Sequence, residues 1–241
     1  MSSIEQYARG FREVIIMVPR HPEWPKDHVI PIPDGVEVRY YEEPPAPLGH
    51  LHHQVIKLQA DKFCKGEFVL HMDSDCIFTE MTTPADFFLD GKPVMLIKSW
   101  TKIEVQNGTA MHWRKPVLEA IGFVSAYETM QRLPLVYPRE IYDQTRQAIY
   151  SHTRKTWDAY ILSCRSSFPY GFAEFNTLGS MAEMVMHDQF HFIDVGIGEH
   201  PHNPLTQFWS HGRIDQAQEI WHEGKKVSLV PIEEIKRRLS I

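Results

Sequence analysis

The stretch Glu67-Phe-Val-Leu-His-Met-Asp-Ser-Asp-Cys-Ile-Phe78 constrains the chain most. A short, largely apolar run ends on two aspartates, Asp73 and Asp75, and a second apolar run follows at once. A run that is apolar on both faces suits a strand with packing on each side. If the segment is extended through the aspartates, side chains two apart point the same way, so both carboxylates reach one point. Two carboxylates at the end of a buried strand suit a hard divalent cation, Mn²⁺ or Mg²⁺, that itself holds a phosphate. The competing reading is a solvated Asp-Ser-Asp turn.

The rest of the chain supplies helices to cover such a strand. Over residues 50–63, Leu51, Val55, Ile56, Leu58 and Phe63 fall on one broad apolar face. His50, His53, Gln54, Lys57 and Asp61 share the opposite face, which makes Gln54, Lys57 and Asp61 a polar stripe leading into the aspartates. Val14–Val18, closed by Pro19, and Val36–Tyr40 read as strands. Eight prolines between Pro19 and Pro47 exclude helix there. Val94–Ile97, 190–195 and 207–209 read as further strands. Helices are expected over 3–9, 116–121, 126–132, 139–150, 154–163, 176–187, 214–222 and 232–239. Alternation of strand and helix in the first half predicts one α/β domain, with a mostly parallel sheet flanked by helices.

Composition narrows the partners. The 241 residues carry a net charge of −6 and no long basic run, which speaks against nucleic acid. No segment approaches the length of a membrane-spanning helix, and the polar N-terminus lacks a signal-peptide core. Three cysteines without metal-site spacing favour a reducing compartment, so a cytoplasmic location is expected, peripheral attachment to a membrane remaining open.

Two further groups carry chemistry. Glu174 and Asn176 lie in an aromatic stretch, Tyr170-Gly-Phe-Ala-Glu-Phe-Asn176. A carboxylate enclosed by Phe172 and Phe175 can accept a proton or a sugar hydroxyl. Alternatively, Asn176 caps the next helix and Glu174 pairs with an arginine such as Arg165. Trp100, His112 and Trp113 either line a sugar groove or pack beneath a loop. The basic Lys236-Arg-Arg238 reads as a solvated helix end.

Five motifs, in order, carry a resemblance. They are Gly49-His-Leu-His-His-Gln-Val-Ile-Lys-Leu-Gln-Ala-Asp61, Val69-Leu-His-Met-Asp-Ser-Asp-Cys76, Met130-Gln-Arg-Leu-Pro-Leu-Val-Tyr-Pro138, Phe172-Ala-Glu-Phe-Asn-Thr-Leu-Gly179 and Trp209-Ser-His-Gly212. Together they resemble a family of bacterial and viral GT-A-type glycosyltransferases known mainly as a domain of unknown function. The similarity runs from about residue 4 to 215. It implies a GT-A-like fold with a nucleotide-sugar and metal half, 1–98, and an acceptor half, 99–241. It also implies sugar transfer from a nucleotide-diphosphate donor to a glycan or other hydroxyl acceptor.

Glycogenin-like transferases add a parallel. Their donor-contacting lysine, followed by leucine, precedes the first metal aspartate by an interval similar to that of Lys57-Leu58. Their late metal-binding histidine is best matched by His211, and Arg213 beside it can grip a phosphate oxygen. Glu174 then acts as a base in direct displacement, or as a polar contact in a retaining reaction. The pattern departs in one respect: a GT-A fold opens with a strand before the helix expected at 3–9. Two rivals stand beside this reading. One is a phosphatase with an aspartate nucleophile, and the other a degenerate, non-catalytic transferase that binds glycan or a partner.

Overall fold

The computed structural model describes residues 2–20, 34–42, 49–107, 113–164, 171–198, 200–207, 220–222 and 225–227; for 2, 104–107, 220–222 and 225–227 this is backbone alone. A first short helix, α1 (Ser2–Tyr7), leads into strand β1 (Val14–Arg20), which pairs in parallel with β2 (Val36–Glu42). β1 runs through Pro19 instead of stopping at it. The missing N–H is tolerated because alternate residues of a strand turn their amides away from a given neighbour.

Next come α2 (Gly49–Lys57) and α3 (Ala60–Phe63), then β3 (Phe68–His71), β4 (Cys76–Phe78), β5 (Phe88–Leu89) and β6 (Lys92–Ser99). The helix expected over 50–63 is thus two helices, broken at Leu58 and Gln59. Their buried side chains still follow the expected face: Leu51, Val55, Ile56 and Leu58 all belong to the core.

The chain continues through α4 (Trp100–Asn107), α5 (Arg114–Ile121), β7 (Tyr127–Glu128), β8 (Leu135–Pro138), α6 (Glu140–Thr153), α7 (Trp157–Ser163) and α8 (Glu174–Met184). β9 (His191–Asp194), β10 (Leu205–Gln207) and the pair β11 (Ile220–His222) and β12 (Lys225–Val227) follow, and two short 3-10 turns, Pro84–Phe87 and His187–Gln189, complete the described elements. Residues 220–222 are therefore strand where helix was expected. The helix expected at 232–239 and the Lys236-Arg-Arg238 cluster lie outside the described residues.

The protein is mixed α/β, but its described sheets are small and mixed, not mostly parallel. β6 pairs in parallel with β9, as β1 does with β2. Antiparallel pairs are β3 with β8, β4 with β10, β5 and β7 with β6, and β11 with β12. The physical cause lies at 126–132. A helix there would have served as a crossover; instead Tyr127 and Glu128 pair with Ser99 and Lys98, and the chain returns antiparallel to β3.

β3 sits at the centre of the arrangement that matters. Its register with β8 sets Val69 opposite Tyr137 and His71 opposite Leu135. On one face the His71 ring meets Tyr137, Tyr142 and Phe175, with centroids 6.1, 5.8 and 5.3 Å away. On the other, Phe68 meets Phe88 edge-on at 4.9 Å. Both faces are covered, as the apolar run demands.

Helix α8 is buried along Glu174–Ala182. A helix enclosed on all sides must let neighbours approach closely. Gly179 does so: a Cβ there would lie 1.9 Å from Thr129 Oγ1. The core cluster draws on both halves of the chain, from Leu51 to Leu205. None of the three cysteines is disulfide-bonded. Among the described residues, no helix is long and apolar enough to cross a membrane.

Candidate functional site

Three element ends converge on one ammonium. Lys57 is the last residue of α2, Asp73 lies two residues past the end of β3, and Glu174 is the first residue of α8. Lys57 Nζ lies 2.8 Å from Asp73 Oδ1 and 3.0 Å from Glu174 Oε1. The same ammonium stands 4.4 Å from the centre of the Phe175 ring. Two of the charges are favoured by their places, Lys57 at a helix C-terminus and Glu174 at a helix N-terminus. Burial alone would lower the Lys57 pKa, but Glu174 and Asp73 outweigh it, and the net shift is upward. Lys57 is a fixed cation.

Beneath it lies His71, a residue that the sequence reading did not single out. Its Nε2 is 2.5 Å from the Tyr142 hydroxyl. Burial, with the nearby charge of Lys57, pushes the imidazole down to about 3, so it stays neutral. The signal was in the strand itself: His71 and Asp73 are two apart in the same run.

The aspartate pair is arranged differently from an extended Asp-x-Asp. Ser74 and Asp75 form a turn closed by the Cys76 N–H donating to the Asp73 carbonyl at 3.1 Å. The parallel alignment expected of residues i and i+2 therefore does not hold, and the turn sets where each carboxylate points. Asp75 receives the Gln207 amide at 3.4 Å on each oxygen, both long contacts. The Cys76 thiol, 3.6 Å from Asp75 Oδ1, is pushed up to about 12, chiefly by burial. The two carboxylates offer hard oxygen donors at this turn.

The other expected residues divide. Gln54 lies one turn before Lys57 on α2, and its Oε1 is buried with no hydrogen-bond partner among the described residues. Asp61 is withdrawn from the stripe: its two oxygens take Arg146 Nη1 at 2.6 Å and Nη2 at 2.8 Å. That bidentate pair locks α3 to α6. His211 and Arg213 lie outside the described residues, as do His112 and Arg165. Among the described residues, no three His, Cys, Asp or Glu side chains are grouped as a metal site.

Asn176 is neither a helix cap nor open to a ligand. The helix begins two residues earlier, at Glu174, and Asn176 is 2% exposed. Its Nδ2 donates to Glu128 Oε1 at 3.1 Å, and its Oδ1 accepts the Thr129 N–H at 3.0 Å. It fastens α8 to the 128–129 segment. Glu128 is held further by the Met130 N–H at 3.0 Å and by the Gln131 amide. Burial raises its pKa despite these bonds. Trp100 is also a core residue, 3% exposed, its Nε1 donating to the Ser125 carbonyl at 3.0 Å. Trp113 packs partly buried against the core.

Fold and site together define a mixed α/β protein in which one lysine, on a helix end, joins two carboxylates beside an acidic turn. Residues 42–211 match a family described as Family of unknown function (DUF6492), and the chain belongs to that family. No curated protein matches the sequence.

Proposed function

We propose that this protein is a metal-dependent glycosyltransferase of GT-A type, moving a sugar from a nucleotide-diphosphate donor to a glycan or other hydroxyl acceptor. The observation that carries the reading is Lys57 between Asp73 and Glu174. It ties the acidic turn that would hold a cation to a carboxylate that would face the sugar. The resemblance to GT-A transferases, with the parallel pairs β1–β2 and β6–β9, supports the same reading.

The donor chemistry fits Mn²⁺ or Mg²⁺. Asp73 has one oxygen on Lys57, and Asp75 makes only long contacts, so carboxylate oxygens remain for a hard ion. When bound, such an ion acts as a Lewis acid on the departing diphosphate. His211 would complete the ligands, and Arg213 would add a cation toward the phosphates.

This chain's own groups would do the rest. Lys57 orients Asp73 and offsets carboxylate charge, so that an anionic donor can approach. Gln54, whose Oε1 is buried one turn before Lys57, would contact a donor hydroxyl once its amide turns outward. Glu174, held at one oxygen by Lys57, keeps the other for a sugar hydroxyl or for the acceptor's proton. Asn176 supports Glu174 through the first turn of α8, in place of the catalytic role expected for it.

A panel of nucleotide sugars, read by nucleotide release with and without Mn²⁺, tests the proposal. Mn²⁺-dependent release from one donor is expected. Failure of the full chain to bind any nucleoside diphosphate with Mn²⁺ in calorimetry would sink it.

A further inference from the structure

A second recess lies apart from the Lys57 cluster, and none of its lining residues belongs to that cluster. Its volume is about 210 Å³. Val136, the register partner of Leu70, and Phe88, which packs on Phe68, place it beside the face of β3 turned away from His71. Leu96 and Ile193, partners across β6 and β9, add apolar wall, as does Pro134. The recess is small, with room for about one sugar-sized molecule.

One cation enters this apolar space. Arg132 lines it, and its Nη2 donates to the His202 carbonyl at 3.2 Å. Among the described residues, no carboxylate lies within ion-pair distance of its guanidinium. Burial lowers its pKa, and among the described residues no acidic neighbour opposes that shift. Of the described acids on this side, Asp86, which also lines the recess, and Glu80 are engaged by other groups. Asp86 Oδ2 accepts the Thr83 N–H at 2.7 Å and the Thr83 hydroxyl at 3.0 Å. Glu80 receives the His202 ring. A half-buried cation without a counter-charge is unfavourable, and an anion in the recess would relieve it. A guanidinium presents several donors in a flat fork that fits a carboxylate or a phosphate.

We propose that this recess binds a small ligand bearing a carboxylate or phosphate beside an apolar ring face, with Arg132 as the anion receptor. The apolar walls take the ring face, and the guanidinium fork takes the charged group. Neutral sugars lack the second contact. The site gives a role to the 130–138 motif, which the transfer reaction proposed above leaves unused.

Isothermal titration of the full chain with glucuronate, glucose 6-phosphate and glucose tests this, the first two separating carboxylate from phosphate. One acid should bind and glucose should not. R132Q, shown folded by circular dichroism, should weaken that acid about ten-fold or more, while D75N leaves it unchanged. R132K, which keeps the charge and loses the fork, serves if R132Q does not fold, and it too should bind more weakly. The proposal falls if neither acid binds, if the arginine variants bind as the wild type does, or if D75N abolishes binding.

Discussion

The Lys57 ammonium stands 3.0 Å from the Glu174 carboxylate, joining residues 117 positions apart in the chain. Its second contact, Asp73, is 34% exposed at the side chain against 12% for Glu174. The Glu174 arm is the drier of the two and should dominate the energetics. K57M leaves Glu174 facing Phe175 without its cation, and should cost about 2–3 kcal/mol in urea unfolding. Adding E174Q to K57M should recover part of that loss. A double-mutant cycle showing no coupling between the two positions would refute the pairing.

Asp75 behaves in the opposite way. Its two 3.4 Å contacts with Gln207 contribute little to the fold, so D75N should change stability by no more than about 0.5 kcal/mol. The same substitution removes a charged ligand from the acidic turn. Mn²⁺-dependent nucleotide release should fall about a hundred-fold or more, a loss of the size expected when a charge aimed at a metal is removed. Unchanged transfer by D75N would show that the turn does not hold the ion.

Asp61 separates structural from functional reading. Arg146 is 8% exposed at its side chain, and Asp61 satisfies both of its terminal nitrogens. D61N should therefore destabilise by about 2 kcal/mol, because a buried guanidinium loses its bidentate partner and keeps only the exposed Asp143, at 3.2 Å. Binding of a nucleoside diphosphate with Mn²⁺ should stay within about two-fold of the wild type, measured by calorimetry below the melting range. A large loss of affinity at full stability would return Asp61 to the donor site.

These contrasts mark what can be read from a linear chain. The segments at 14–18, 36–40 and 94–97 announce their strands through local β propensity, which burial reinforces at 94–97. Lys57, Asp73 and Glu174 each stand out by their neighbours. Their common contact is tertiary and leaves no local trace. Asp61 sits on the same helical stripe as Lys57, and a stripe cannot say whether it meets water, ligand or another helix. Here α6 covers it with Arg146. At 126–132 the helical expectation loses to burial: Glu128 and Thr129 are drawn under α8 by Asn176, and Gly179 opens the space for them. The chain direction at β8 depends on that segment, which is why the expected parallel sheet gives way to mixed pairing.

Glu128 predicts a pH dependence with a definite sign. It is 7% exposed, and its carboxylate takes only neutral donors: Asn176, the Met130 N–H and Gln131. Burial raises its folded-state pKa above the ordinary carboxylate value. The folded chain thus holds this proton more tightly than the unfolded chain does. The stability this brings is complete below the ordinary glutamate range and is lost as pH rises through the raised pKa. In E128Q the amide oxygen can keep Asn176 and Met130, and a turn of the Gln131 amide can offer an acceptor to the new NH₂ group. Denaturant unfolding at a series of pH values should show E128Q gaining on the wild type as pH increases, with the difference level at both extremes. A difference that stays constant across the series would mean that Glu128 keeps its charge in the fold as readily as it does in water.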